Sequence, residues 1–358
     1  MSIGDDIIKD IDGNIIGCPH CGARSIHKSG FLYRAKSKKQ QWKCTACGRK
    51  TVCPTIIEES AFKVQDIDPD HIPIEELIEH RQKQYKQKAI SKKSKKLVRI
   101  DINVDGPIGI AHFGDPHVDD DGTDISQILH YMSIINKTDG MFAGNLGDIQ
   151  NNWIGRLSYL YGQQSTSAKE SWRLTEYFVN KLNWLYLVAG NHDVWSGDGD
   201  PLDFIMRDHK GLYEKWGARM RLVFPNGKEI TINARHTFKG NSIWNTAHGV
   251  ARAAQTGWAD HILTCGHTHV SGYQVLKSPS TGLISHALQV ASFKIMDSYA
   301  DKLGLDDKNI FNCPVTVIDP QYDDDDNRLI TTIFNPINAS QYLTYLRKNY
   351  NKLKNEKA

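Results

Sequence analysis

Five short polar motifs follow apolar runs in the second part of this 358-residue chain. They are FGDPHVDDDG with Asp115 and His117, NLGDIQNN with Asp148, AGNHD with Asn191, His192 and Asp193, ARHTF with His236, and CGHTH with His267 and His269. Carboxylates, imidazoles and an amide oxygen are ligands for borderline divalent metals such as Mn²⁺, Fe²⁺ and Zn²⁺. Asp115, His117, Asp148, Asn191, His236, His267 and His269 make seven donors. That exceeds what one ion needs and suits two ions about 3.5–4 Å apart with a carboxylate between them. Each residue alone has an ordinary explanation: an Asp after a strand caps a helix, a lone His is a satisfied surface or core residue, and Gly-Asn makes a turn. Five such clusters in a row, each after an apolar run, are hard to obtain by chance.

A second set of ligands lies at the front. Five of the seven cysteines fall in residues 18–53, and four of them form Cys18-x-x-Cys21 and Cys44-x-x-Cys47, with 22 residues between the pairs. Two tight thiolate pairs suit one tetrahedral structural Zn²⁺, each pair making a knuckle whose turn admits Gly22 or Gly48. A unit this small builds little core, so metal supplies its folding free energy. His20 and Cys53 are spare. An odd cysteine total in Cys-x-x-Cys pairs argues for a reducing compartment and against a disulfide scaffold.

The elements that must position the later motifs are visible from about residue 107. The runs PIGIAHF, GMFAGNL and WLYLVAG alternate with the helical pattern ISQILHYMSII and a helix near 166–182, a rhythm that predicts α/β with a partly parallel sheet. RLVFPNGKEITINA predicts a hairpin with Asn226-Gly227 in a type I′ turn. A helix near 242–256, the strand HILTCG and further strands to about 333 follow. A last helix over 338–353 carries the stripe Tyr342, Leu343 and Leu346, which packs on the domain. DDDD at 323–326 is an exposed loop, and Asp119, Asp120 and Asp121 read as a solvated loop or as an outer shell around a metal, the loop being favoured. Trp153, Trp172, Trp195, Trp244 and Trp258 lie near the motifs, most of them as core. In open α/β sheets, ligand sites lie beyond the carboxyl ends of the strands, where these motifs fall.

The order GDPH, LGD, GNHD, RHTF, GHTH over residues 107–295 resembles the calcineurin-like metallophosphoesterase family. The resemblance implies a four-layer αββα sandwich of two mixed sheets. It implies that Asp115, His117 and His269 hold one metal, that Asn191, His236 and His267 hold the other, and that Asp148 bridges. His192 is then the catalytic acid facing the substrate, with Asp193 orienting its ring. Many relatives carry a further Asp or Arg after GD. Here the text is IQNN, with Asn151, Asn152 and Arg156 nearby, so substrate contacts there do not transfer. The front segment, with CPHCG, KSG, WKC and CGRK, resembles the zinc β-ribbon of insertion-sequence transposases.

Expected boundaries are 1–54 for the ribbon, 55–104 for a basic linker and helical connector, 105–337 for the metallophosphoesterase domain, and 338–358 for a terminal helix and tail. Net charge is +3, split as +8 over residues 1–100 and −5 over the rest. Residues 17–53 and 80–99 each hold nine Lys+Arg and no acid. In the ribbon Arg24, Lys28, Arg34, Lys36, Lys38, Lys39 and Lys43 alternate with Phe31, Tyr33 and Trp42. Such cations neutralise phosphates while aromatics stack on bases. The competing account is a solvated basic face whose aromatics form a small core. The leading expectation is a DNA-directed phosphodiesterase, a nuclease using two divalent ions, Mn²⁺ first and Fe²⁺ or Zn²⁺ next. Two alternatives stand beside it: a phosphatase or small-molecule phosphodiesterase with the ribbon as docking module, and a non-catalytic DNA- or protein-binding factor. No secretory leader and no run of 18 apolar residues is visible, so an intracellular protein is expected, of a kind that suits a phage, prophage or mobile element.

Overall fold

The computed structural model describes residues 8–9, 14–34, 37–56, 73–94, 97–195, 201–296 and 311–357. Most of the connector, 57–72, and Lys36 of the basic set lie outside them. The chain divides into two compact units, Met1–Arg81 and Gln82–Ala358.

In the first unit, β1 (Ile16–Gly17) pairs antiparallel with β5 (Thr55–Ile56), while β2 (Ile26–Arg34), β3 (Ser37–Cys44) and β4 (Lys50–Thr51) form a three-stranded antiparallel sheet. Among the described residues its core is Ile16, Cys18, Ile26 and Cys44, edged by Ile8, Ala23 and Trp42. Helix α1 (Ile74–Ser94) opens on Glu75 and Glu76, which suit the positive end of its dipole. It runs to Ser94, well into the acid-free basic stretch 80–99.

The second unit contains β6 (Val98–Asp101), β7 (Ile108–Phe113), α2 (Ile125–Lys137), β8 (Met141–Asn145), α3 (Ala168–Asn180), β9 (Trp184–Ala189), α4 (Pro201–Ile205) and β10 (Leu212–Lys215). Next come β11 (Gly217–Val223), β12 (Glu229–Arg235), α5 (His248–Thr256), β13 (Ile262–Cys265), β14 (Gly272–Lys277), β15 (Ile284–Gln289), β16 (Val315–Ile318), β17 (Ile330–Ile333) and α6 (Pro336–Lys357). One sheet has the order β10-β9-β8-β7-β16-β17 and the other β14-β15-β13-β12-β11-β6. Both are mixed: β7, β8, β9 and β10 run parallel while β16 is antiparallel to β7, and β12, β13 and β15 run parallel between antiparallel neighbours.

Strand β7 is buried at every position, which is why IGIAHF is apolar almost throughout and does not alternate. Its alternate side chains serve two cores. Ile108 and Ile110 join Tyr186 and Val188 against Met220, Leu222, Ile232 and Ile262 of the other sheet. Ala111 and Phe113 pack instead with Ile128, Met132, Phe178 and Leu343 from α2, α3 and α6. On the far side of the second sheet, Val250 and Ala251 of α5 meet Leu263 and Ala287.

Helix boundaries follow local chemistry. Asp124 caps α2, and Ser167 with Glu170 forms a capping box on α3. Helix α5 starts at His248, six residues after the expected 242. The Ser242 hydroxyl accepts from the N–H groups of Trp244 and Asn245, and the Asn245 side chain from that of Ala247, so turns win there. Helix α6 starts two residues before the expected 338, with Pro336 first in the helix and Asn335 capping Asn338.

The β11–β12 turn is not type I′. That turn needs positive φ at both Asn226 and Gly227, and of the two only Gly227 has it, at 85°. Gly227 N–H donates to the Phe224 carbonyl at 2.9 Å, so Pro225, with its fixed negative φ, occupies the first central position of a type I turn closed by a left-handed Gly. Among the described residues no helix is long and apolar enough to cross a membrane.

Candidate metal centres

In the ribbon, Gly22 N–H donates to the Cys18 carbonyl at 2.9 Å and Gly48 N–H to the Cys44 carbonyl at 3.0 Å. Both glycines are left-handed, at φ 70° and 69°. These two turns bring Cys18 Sγ within 3.7 Å of Cys47 Sγ and Cys21 Sγ within 3.7 Å of Cys44 Sγ. A tetrahedral Zn²⁺ with bonds of about 2.3 Å has S···S edges of about 3.8 Å, so the four sulfurs suit that ion. The four thiols share their protons: N–H donation from His20 draws the Cys18 thiol down to about 7, while, against N–H donation from Ala23, the Cys47 thiol beside Cys21 pushes that one up to about 12. Cys53 lies apart, its N–H on the Thr51 hydroxyl.

In the second unit the sheet order does the gathering. Asp115 and His117 follow β7, Asp148 follows β8, and Asn191, His192 and Asp193 follow β9, three adjacent parallel strands. His236 follows β12, and His267 and His269 follow its parallel neighbour β13 in the other sheet. All seven proposed donors meet. His236 Nε2 lies 2.9 Å from Asn191 Oδ1, 3.0 Å from His267 Nδ1 and 3.2 Å from Asp148 Oδ2. His269 Nε2 lies 3.3 Å from His117 Nε2 and 3.5 Å from Asp115 Oδ2. Asp148 belongs to two groups of closely spaced donors, one with His236 and His267, the other with His117 and His192.

Burial and two carboxylates set the electrostatics of this cluster. Burial opposes charge on His236, yet the neighbouring Asp148 and Asp115 carboxylates outweigh it and raise the ring to about 10. Burial alone would lift Asp148, but His236 and His192 beside it hold its carboxyl well below the usual range. Asp115 is pushed up to about 8, by burial first, with the nearby Asp148 charge adding to it. Asp115 Oδ1 and His117 Nδ1 are buried and have no hydrogen-bond partner among the described residues. His236 Nδ1–H donates to the Leu146 carbonyl at 2.9 Å, which turns Nε2 toward the cluster, the usual support for a ligating imidazole. Oxygen and nitrogen donors converging at this spacing could hold a divalent metal ion.

The backbone is bent to the same end. Asp115, His117, Asp148, Asn152, His267 and His269 all have positive φ, and among the described non-glycine residues only Trp216 shares it. Such conformations cost about 1–3 kcal/mol each and persist where the surroundings over-determine them. A Cβ on Gly190 would overlap the Asp148 carboxylate, and one on Gly266 the Asp115 carboxylate, so both motif glycines are close-approach positions.

His192 sits at the edge of the cluster, 15% exposed, with Nε2 3.9 Å from Asp148 Oδ2. Its Nδ1–H donates to the Asn151 carbonyl at 2.5 Å, and Asn152 Nδ2 donates to the His192 carbonyl at 2.7 Å. The Trp195 ring lies 4.1 Å from the imidazole and Trp153 5.3 Å, centroid to centroid. Two expectations are corrected here. Asp193 does not orient His192: its carboxylate accepts from the N–H groups of Asp148 at 2.7 Å, Gly190 at 2.8 Å and Ile149 at 3.0 Å. Asp119 and Asp120 do not form a solvated loop. Asp119 is buried and accepts from Asn151 N–H at 2.7 Å, while Asp120 accepts from Asn151 Nδ2 at 2.8 Å and pairs with Lys294 at 3.0 Å. The Asn151 loop that orients His192 is therefore held by two carboxylates from the first motif. The crowding of three Asp after His117 was the available signal. The five tryptophans near the motifs are not mostly core: Trp172 and Trp258 edge apolar clusters, Trp153 and Trp195 are half-buried beside His192, and Trp244 is exposed.

No family model matches this chain, and no curated protein matches it. Among solved structures, the chain is similar to GAP50, the anchor in the inner membrane complex of Plasmodium. Identity is 11%, the alignment covers 68% of this chain and 95% of that one, and the TM-score is 0.34.

Proposed function

We propose that the second unit is a metal-dependent phosphoesterase of the calcineurin-like kind, with DNA phosphodiesters as its substrate. The observation that carries this is the convergence of Asp115, His117, Asp148, Asn191, His236, His267 and His269 from two sheets, with Asp148 common to both donor groups. The sorting of apolar residues into helix-facing, sheet-to-sheet and helix-facing clusters supports a four-layer αββα sandwich. Asp115, His117, Asp148 and His269 would hold one divalent ion, and Asp148, Asn191, His236 and His267 a second. Such ions, Mn²⁺ first among Mn²⁺, Fe²⁺ and Zn²⁺, supply Lewis-acid stabilisation of phosphoryl charge and a nucleophilic hydroxide near neutral pH.

The chain's own residues do the rest. Asn151 keeps the His192 Nδ1 proton occupied, which leaves Nε2 as the position that carries and releases a proton to the leaving oxygen. Trp195 and Trp153 pack against the ring and restrict its rotation. Asp193 ties the β8 and β9 loops together so that Asp148 and Asn191 keep their places. His267 is the exposed donor and His269 and Asn191 are half-buried, which leaves that side for a substrate to approach. The DNA assignment rests on charge. The acid-free basic stretches 17–53 and 80–99 do nothing for a small ester, but they raise the local concentration of a polyanion near an acidic domain on the same chain.

The test is hydrolysis by the full chain with Mn²⁺ of single- and double-stranded DNA, a bis-aryl phosphate and a mono-aryl phosphate. Cleavage of DNA and the diester, abolished by Asp148→Asn, is expected. Cleavage of the monoester alone would make the protein a phosphatase. Full metal occupancy without turnover on any of the four would refute the enzyme.

A further inference from the structure

We propose that one face of the β2–β3 ribbon is a stacking platform for single-stranded DNA, which deepens the DNA assignment above and rests on it for the choice of polyanion. The register carries the first step. Ile26 pairs with Cys44 and Lys28 with Trp42; after a bulge, Phe31 pairs with Gln40 and Tyr33 with Lys38. Strand side chains alternate faces, so in an unbroken strand Phe31 and Tyr33 would lie opposite to Ile26 and Lys28. The extra residue at Ser29-Gly30 reverses the phase, with Gly30 left-handed at φ 77° and its carbonyl held by Gln40 Nε2 at 2.7 Å. Phe31, Tyr33, Lys38, Lys28 and Trp42 thereby share one face.

Trp42 edges the small core; the other two aromatics do not, and remain 48% (Phe31) and 69% (Tyr33) exposed. Their centroids are 6.4 Å apart, and Lys38 Nζ lies 4.2 Å from the Phe31 ring and 5.5 Å from the Tyr33 ring. Lys28 Nζ lies 5.8 Å from the Trp42 ring. The opposite face presents Arg34, Lys39 and Lys43, all exposed. Open π faces with cations over them, on a segment without any acid, match a strand that offers bare base faces and a row of phosphates. In a duplex the base faces are covered by their neighbours, so Phe31 and Tyr33 would have nothing to stack on and only the cations would count. The choice of DNA over RNA rests on the substrate assigned above, and the oligo(rU) arm of the test decides it.

The test is fluorescence anisotropy with the full-length, zinc-loaded chain and no added Mn²⁺, against oligo(dT), a duplex of equal length and oligo(rU). The double variant Phe31→Ala/Tyr33→Ala is expected to weaken oligo(dT) binding by about 30-fold while duplex affinity changes less than about twofold and the salt slope holds. Phe31→Leu/Tyr33→Leu, which keeps apolar bulk without π faces, is expected to behave alike. Lys39→Ala/Lys43→Ala should weaken both DNAs and flatten the dependence of log K on log salt by about 1–2. One zinc per chain in every variant shows that the ribbon is intact. Equal losses on single strand and duplex, no loss on either, or tighter binding of oligo(rU) than oligo(dT) would overturn the proposal. Turnover plays no part in these measurements, so a chain that binds oligo(dT) through Phe31 and Tyr33 yet hydrolyses nothing loses only the phosphoesterase, and the converse result loses only the platform.

Discussion

Replacing Asp193 by Asn distinguishes a loop clamp from an orienting partner of His192. Its carboxylate accepts three buried N–H groups, from Asp148, Gly190 and Ile149, at 2.7, 2.8 and 3.0 Å. An amide oxygen can keep the two that share Oδ2, but the amide nitrogen then faces the N–H of Ile149. Burial, with the nearby Asp148 charge, pushes the Asp193 carboxyl up to about 7, so the comparison is made above pH 8, where it accepts as the anion. One hydrogen bond to a charged acceptor is then lost, at about 1.5–3 kcal/mol, and the bonds that remain are to a neutral oxygen. The expected loss is about 2–4 kcal/mol, or a fall of about 1 M in the urea midpoint at a slope near 3 kcal/mol/M. Because the donors come from the backbones of Asp148 and Gly190, metal affinity should fall with stability. Urea unfolding followed by tryptophan fluorescence, together with Mn²⁺ titration, measures both. An Asp193→Asn chain with an unchanged midpoint and full metal content, deficient only on substrates with poor leaving groups, would refute the clamp and restore Asp193 as the partner of His192.

Three further outcomes are expected. Cys44→Ser should remove one equivalent of zinc and leave residues 1–81 readily digested by protease while the second unit keeps its resistance; unchanged zinc content would dismiss the four-sulfur site. Gly190→Ala places a methyl against Asp148 and His236, so Mn²⁺ binding should be lost and stability reduced by about 1–3 kcal/mol, as metal analysis and denaturation will show. Burial pushes His112 down to about 3, its ring nitrogens on Tyr186 Oη and Thr316 Oγ1. Its folded pKa lies below the unfolded value near 6.5, so the unfolded chain binds more protons in that window. The His112 contribution is complete above pH 6.5 and lost as pH falls toward 3. His112→Gln should flatten the decline of stability between pH 6.5 and 4, and an unchanged slope in urea midpoint against pH would contradict this.

Which side chains meet was legible to the extent that it depended on strand ends. A run such as WLYLVAG must be a buried strand, and the residues after it must emerge at the carboxyl edge of the sheet. GNHD, GDPH and LGD therefore share an edge once β7, β8 and β9 are adjacent. The turn chosen by Pro225, the late start of α5 and the roles of Asp119 and Asp120 were not legible in the same way. Each is a competition between local alternatives of similar energy, settled by one or two hydrogen bonds.

By itself, then, the sequence determined the inventory: four thiolates in two pairs, seven oxygen and nitrogen donors at strand ends, and cations concentrated in acid-free stretches. Residue type and spacing decide those, because ligand chemistry belongs to the side chain. Tertiary structure alone decided the partners of Asp193, Asn151 and Asp119, and the face on which Phe31 and Tyr33 stand. Three of these contacts run through main-chain N–H or C=O groups, which nearly every residue carries, and the fourth depends on one extra residue in a strand. Periodicity records neither, and composition records only the crowding of Asp119, Asp120 and Asp121.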